Sequence, residues 1–244
     1  MEPSPIRRLL RPLRATPLHP QWLVLRHEDQ NRFEIARPLQ GRILDIGCGN
    51  RQMESFLGPD TAYIGLDYPT THAKGYSGYP DLFGDGHCLP FRAESFDAVL
   101  ALDVLEHLPS PDQCVREAAR VLRGGGQLIV QTPFLYPLHD MPHDFQRWTL
   151  PGLEALVQRQ GFEVTERRMF GAPCETAAAL TAIALAKAGL DSLQNRSPAI
   201  LLIPLLAVGV LLANLLGWLL ARILPADDFM PLGYRLICTK IAPD

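Results

Sequence analysis

Residues 44 to 50 read LDIGCGN, a short apolar run that ends in two closely spaced glycines. Glycines at the end of a buried strand let a bound molecule approach the backbone closely. Three more apolar runs follow: AYIGLD from Ala62, FDAVLALD from Phe96 and GQLIVQT from Gly126. Between the last two, SPDQCVREAARVLRGGG carries Cys114, Val115, Ala118, Val121 and Leu122 at helical spacing. Ser110 is its candidate N-cap, Pro111 takes the first helical position, and Gly124 follows its end. Apolar strands alternating with helices predict a parallel sheet covered on both faces.

Beyond Thr132 the pattern changes. Pro133 to Trp148 is irregular and rich in proline, histidine and aromatics, and Thr149 then caps LPGLEALVQRQ, which stops at Gly161. FEVTERRMF, from Phe162, alternates like a strand with one exposed face, and GYRLICTKI, from Gly233, returns as a strand. An apolar region from about Ala172 to Leu224 lies between them as an insertion.

The glycine turn selects among ligands. A dinucleotide fingerprint needs a third glycine where Gln52 stands, and Asp45 would repel a pyrophosphate. The same carboxylate suits an amino group. It can alternatively cap a following helix, expected from about Arg51. Asp67 ends the next strand about twenty residues on, where an acid takes the hydroxyls of a ribose. The site therefore wants a nucleoside with a cationic, non-phosphate tail. Cys48 reads as a small buried residue.

RILDIGCGN, YIGLD, GDGHCLPF, SFDAVLALDVLEHL and AARVLRGGGQLIVQTP together resemble the class I S-adenosylmethionine-dependent methyltransferases, in the subgroup called type 11. The resemblance covers roughly Arg42 to Phe170 and the final strand. It implies a Rossmann-like, seven-stranded, mostly parallel sheet with helices on both faces, and with the apolar hairpin inserted before the last strand. It implies that Gly47 and Gly49 pack under S-adenosyl-L-methionine, with Asp45 near the amino-acid end and Asp67 on the ribose. Asp85, with the backbone of Gly86 and His87, would receive the adenine, and Leu102 and Asp103 would close over the methionine side. Two departures stand out: Arg51 replaces a frequent glycine, and Tyr68 to Pro80 is too rich in glycine and proline for the usual helix. The third strand is expected near Asp81 to Gly84.

The expected organisation is an N-terminal arm and lead-in helix (1–40), a cofactor-binding core (41–171), an apolar helical hairpin (172–226) and a final strand (227–244). Because the strands flanking the hairpin should share one sheet, its ends must lie on one side of a membrane, and a single crossing is excluded. Ile200 to Leu220 has 21 residues without a charge, about 31 Å as a helix against a hydrocarbon core of roughly 30 Å. Its partner, Thr176 to Leu190, has 15 residues interrupted by Lys187 and is short for a span. A re-entrant or in-plane hairpin is expected, with a homodimer interface through the same surface as the alternative.

Histidines suit proton removal from an acceptor near neutral pH. His107, His139 and His143 all follow strand ends and are the candidate catalytic residues, with Tyr136, Phe145, Arg147 and Trp148 as an acceptor wall. A structural role for Glu106 and His107 remains the alternative. The spacing of His139 and His143 raises a metal, but Pro142 separates them and no third ligand is evident, so none is expected. The net charge of −3 offers nucleic acid no basic face. Arg7, Arg8, Arg11 and Arg14 suit an arm on an anionic surface or, given four nearby prolines, a solvated tail. Five scattered cysteines without a C-x-x-C pair fit a reducing compartment. No signal peptide is evident, so the cytoplasmic face of a membrane is the expected location. The expected activity is methyl transfer to a lipid-linked or amphiphilic acceptor. A non-catalytic, cofactor-binding scaffold is the alternative.

Overall fold

The computed structural model describes residues 11–72, 79–225 and 227–242. Arg7 and Arg8 of the basic arm lie outside the described residues, as does part of the glycine-rich stretch before Pro80. Two short helices, α1 (Trp22–Leu25) and α2 (Glu28–Ala36), lead into β1 (Gly41–Ile46). Then come β2 (Thr61–Asp67), α3 (Pro69–His72), β3 (Leu82–Phe83), β4 (Phe96–Leu102), α4 (Pro111–Val121) and β5 (Leu122–Pro133). The chain ends with α5 (Leu150–Gln158), β6 (Phe162–Phe170), α6 (Pro173–Gln194), α7 (Ile203–Ile223) and β7 (Gly233–Lys240).

The seven strands form one sheet in the order β3-β2-β1-β4-β5-β7-β6. Six run in one direction, and β7 alone runs antiparallel, to both β5 and β6. Strand alternation splits the apolar residues between two cores. Leu44, Val99, Leu128 and Val130 face α4 and α5, whereas Ile43, Leu100 and Ile129 face α2 through Ile35 and Ala36. That double burial explains why β1, β4 and β5 read as continuous apolar runs.

The helix expected from Arg51 does not form. Arg51 takes a left-handed φ of 56°, and only a 3-10 turn follows at Glu54–Phe56. Gly58 and Pro59 stop it there. A non-glycine residue in that conformation costs roughly 1–2 kcal/mol. The Arg51 guanidinium offsets the strain by pairing with Glu54 and Asp81, at 2.9 and 2.7 Å, above the Tyr63 ring. Thr149 caps α5 by accepting from the Gly152 N–H, whereas Ser110 occupies the N-cap of α4 without a capping bond.

The apolar insertion is a pair of antiparallel helices. Its first helix spans 22 residues, longer than the 15-residue segment anticipated. A Cβ at Gly217 would lie 2.3 Å from that of Ala178, so glycine permits the close approach of α6 and α7. The hairpin base is fastened to the body. Asn214 is fully buried, and its amide donates to the carbonyls of Pro17 and His19 at 2.8 and 3.0 Å. Leu23, Ala179 and Leu232 pack together beside it, flanked by Trp22 and Trp218.

Candidate functional site

A groove of about 720 Å³ opens at the carboxyl ends of β1, β2 and β4, where open α/β sheets place ligands. Gly47 forms its floor with φ at 71°, and a Cβ there would meet Val104 Cγ2 at 2.5 Å. The Asp67 carboxylate is nearly buried and oriented by two donors, the N–H groups of Gly49 at 3.0 Å and Tyr68 at 2.7 Å. Asp85, Gly86 and His87 line the far end, with the Asp85 carboxylate accepting from the His87 N–H at 2.9 Å.

A second cavity, of about 430 Å³, adjoins the first. Gly47, Gly49, Leu102, Asp103 and His139 line both, so the two spaces meet at this seam. One part of the second cavity is polar, with Asp45, Glu106, Gln131 and Thr132, while Val24, Leu25, Phe170 and Leu232 supply apolar wall beside the hairpin base. Asp45 is 4% exposed and accepts from the Tyr63 hydroxyl at 2.7 Å. Burial pushes its carboxyl up to about 7 against that hydrogen bond, with the charge of Asp67 adding to the rise. A carboxyl in this state is short of a cation.

At the seam, Glu106, His107 and His139 bring their donor atoms within 4.8 Å of one another. Glu106 is wholly buried, and neither carboxylate oxygen has a hydrogen-bond partner among the described residues. Burial holds its carboxyl well above the ordinary range, with the Asp103 charge adding to the rise. His107 Nδ1 lies 2.7 Å from the carbonyl oxygen of His143, and burial lowers its imidazole below the usual value. Behind His139, Asp144 is clamped by Arg147 at 2.5 and 2.8 Å.

Residues 44–130 match the family described as a methyltransferase domain. The chain carries a class I S-adenosylmethionine-dependent methyltransferase domain. S-adenosylmethionine is the cofactor of that domain. The tRNA U34 carboxymethyltransferase of Syntrophotalea carbinolica is 32% identical over 52% of this chain and 46% of its own length. The ubiquinone biosynthesis O-methyltransferase of Rhizobium johnstonii is 36% identical over 40% of this chain and 43% of its own. The chain thus spans less than half the length of these curated relatives. A SAM-dependent methyltransferase from Methanosarcina mazei superposes with a TM-score of 0.51 at 15% identity, over 86% of this chain and 98% of that one, which shows the fold.

Within the methyltransferase domain, the residues singled out from sequence divide between the two cavities. Gly47, Gly49, Asp67, Asp85, Gly86, His87, Leu102 and Asp103 line the larger groove, and Asp45 lines the second cavity. Of the three histidines, His107 and His139 face each other with ring centroids 4.8 Å apart. His143 lines the groove and is not part of that cluster among the described residues; its backbone carbonyl is what bonds His107. Of the expected acceptor wall, Tyr136 lines the second cavity and Phe145 the groove; Arg147 instead clamps Asp144, and Trp148 packs on the core. Gln131 is a residue that sequence reasoning missed, and Glu106 is one that it weighed beside His107 without giving it a place in the site. Gln131 donates to Asp103 at 3.1 Å. A signal for Glu106 exists in LEHL, where an acid sits among apolar residues just past a strand.

Proposed function

We propose that the protein is a methyltransferase working at a membrane surface, on an amphiphilic or lipid-linked acceptor. The observation that carries this reading is the second cavity, polar at the seam with the cofactor groove and partly walled by apolar side chains beside the hairpin base. An acceptor with a polar reactive head and an apolar body fits that division.

The groove suits the cofactor by size and by chemistry. Its volume lies in the range of small-molecule sites, and the Gly47 floor leaves no room for a side chain. Asp67 would hold the ribose hydroxyls, Asp85 with the backbone of Gly86 and His87 the adenine, and Asp45, across the seam in the second cavity, the amino group. Leu102 and Asp103 would close the methionine side. When bound, S-adenosylmethionine supplies an electrophilic methyl on a sulfonium, and the C–S electron pair returns to sulfur as the acceptor's lone pair forms the new bond. The chain's own residues align the acceptor along that axis and exclude water. An acceptor that must lose a proton would meet the Nε2 atoms of His107 and His139, which border the seam.

Support for the membrane comes from the hairpin. Both of its helices are long and apolar enough to cross a bilayer. Leu205, Val208, Leu212, Leu216, Leu219 and Ile223 form an exposed stripe along the full length of α7. Exposed positions of α6 are mostly small or polar, Ala177, Thr181, Ala184, Lys187, Ala188 and Gln194, with Leu193 near its end as the apolar exception. The Asn214 bonds tie α7 to the body, so only Ile203 to Ala213, roughly 17 Å of helix, projects beyond them. That is about half a hydrocarbon core. A one-sided stripe and a short free length favour a hairpin lying in the interface plane. Trp218 under Arg222 and Trp22 near Arg26 supply the amphipathic groups that such an interface takes.

Incubation with isotope-labelled S-adenosylmethionine and a membrane lipid extract tests the reading. Label should pass to a species that partitions into organic solvent. Label found only in water-soluble acceptors would overturn the proposal.

A further inference from the structure

We infer that Glu106, His107 and His139 bind one divalent transition-metal ion at the seam of the two cavities. The inference rests on the methyltransferase reading only for the use to which the ion is put; the site itself stands on geometry.

The tautomers make the first argument. His107 Nδ1 lies 2.7 Å from the His143 carbonyl oxygen, which can only accept. Nδ1 therefore carries the hydrogen, and Nε2 of the neutral ring presents a lone pair, 3.8 Å from Glu106 Oε1. His139 Nδ1 lies 3.3 Å from the Pro137 carbonyl oxygen and 3.4 Å from Asp144 Oδ2, again two acceptors. Arg147 Nη2, 3.4 Å away, is the nearby donor; one of its two hydrogens serves Asp144 at 2.8 Å, and the other has the Pro137 carbonyl oxygen, also at 3.4 Å, as an alternative acceptor. With its hydrogen on Nδ1, His139 also presents a lone pair at Nε2, 4.0 Å from the same carboxylate oxygen. Two lone pairs and a fully buried carboxylate, which lacks any donor among the described residues, converge on one point. A positive charge shared by the three would satisfy all of them.

Distance decides between a proton and an ion. A shared proton needs donor and acceptor about 2.7–3.2 Å apart. The observed 3.8 and 4.0 Å separations are too long for that. Ligands bonded to an ion at about 2.0–2.2 Å stand roughly 3.4 Å apart at tetrahedral angles and up to about 4.2 Å across the ion. To reach tetrahedral spacing the Glu106 contacts of 3.8 and 4.0 Å must close by about 0.4–0.6 Å, and the widest pair, within 4.8 Å, by up to about 1.4 Å, which side-chain rotation can supply. One carboxylate with two imidazoles is a donor set suited to zinc, manganese or ferrous iron, with coordination positions left open. The outer partners fit as well. His107 is backed by a backbone carbonyl and His139 by a carboxylate that Arg147 holds in place, which fixes each ring with Nε2 inward.

The ion's role follows from its location. Glu106 and His139 line the second cavity, so an acceptor hydroxyl there could take an open position. Its proton would leave to solvent, and the oxygen would keep the lone pair that forms the new bond to the methyl carbon. The C–S pair would return to sulfur. The ion lowers the cost of that deprotonation.

The test uses the full-length protein in detergent, without a polyhistidine tag, stripped by a chelator and then titrated. Zn²⁺ binding is read by calorimetry and Co²⁺ binding by its visible bands, with S-adenosylmethionine binding measured on every sample. One Zn²⁺ per chain with a submicromolar Kd is expected. Glu106→Gln, His107→Ala and His139→Ala should each weaken it by about 100-fold or more and keep cofactor binding as proof of folding. His143→Ala, which preserves the backbone carbonyl, should stay within about threefold of the parent. Zn²⁺ binding weaker than about 100 µM, or unchanged in Glu106→Gln, overturns the site. Should one variant lose cofactor as well, the remaining two decide. A parent that binds Zn²⁺ but no cofactor sinks the methyltransferase reading and leaves the metal site standing.

Discussion

Phe170 and Gly233 are register partners across the antiparallel pair β6 and β7, although 62 residues separate them in the chain. The hairpin leaves and re-enters the sheet at this one rung, so both of its ends belong on one side of any membrane. Deleting residues 172–224 and closing the gap with a short glycine linker should move the protein from the membrane pellet to the soluble fraction. Cofactor binding, read by calorimetry, should persist, because the groove lies upstream. A parent already soluble without detergent, with a deletion that merely turns a dimer into a monomer, would replace the membrane by a subunit interface.

Asp67→Ala should weaken S-adenosylmethionine binding by roughly 1.5–3 kcal/mol, the scale for losing hydrogen bonds to a charged group. The Gly49 and Tyr68 N–H groups would also lose their acceptor, which disturbs the glycine turn itself. Equal affinity of parent and variant would remove Asp67 from the cofactor site.

Asp45 predicts a pH dependence. Its carboxyl titrates near 7 in the free protein, with burial as the main cause and Tyr63, Asp67 and Arg51 as the neighbouring groups that adjust it. Holding an ammonium requires the ionised form, so binding should release a proton below about pH 7, and affinity should fall as pH drops from 7 to 6. The sign for stability is opposite. Folded Asp45 binds its proton more tightly than the unfolded chain, whose carboxyl titrates near 4. Its contribution is therefore full below about pH 4 and is lost as pH rises through 7. The melting temperature of the cofactor-free protein should decline over that range more steeply than that of Asp45→Asn. Calorimetry in buffers of different ionisation enthalpy reads the proton release; none at pH 6 would refute the assignment.

His107→Ala and His139→Ala should each lower turnover by roughly 10²-fold or more, whether the rings remove a proton or hold an ion that acidifies the acceptor, while leaving cofactor affinity nearly intact. His143 belongs to no comparable cluster among the described residues, and its alanine variant should lose less. Turnover equal to the parent in all three would remove the histidines from the reaction.

Asn214→Ala should loosen the N-terminal segment from the hairpin. Two carbonyls, of Pro17 and His19, lose their donor, at a cost of about 1–3 kcal/mol. Faster amide exchange around residues 17–25, with the sheet unaffected, is the expected signature. Uniform exchange would mean that the segment is held by packing alone.

The strands β1, β2, β4 and β5, both covered faces of the sheet and the glycine turn were legible from residue pattern, because burial on two faces writes continuous apolar runs into β1, β4 and β5; the seven-stranded sheet was implied by the family resemblance, and the order of its strands is set by the fold. The hairpin was legible as an insertion for the same reason: its apolar excess has no polar face to hide. The helix after Arg51 was not, because an arginine in left-handed conformation, held by Glu54 and Asp81, is a tertiary outcome that local propensity opposes. Nor could sequence bring Glu106 to His139. These residues are separated by β5, and their meeting depends on the loop 134–149 folding back so that the Phe145 N–H bonds the Glu106 carbonyl at 2.9 Å. Short-range periodicity is set by which side of an element faces the core, and the sequence carries it in full. Which loop atoms converge beyond the strand ends depends on long-range closure, and only the folded chain decides that.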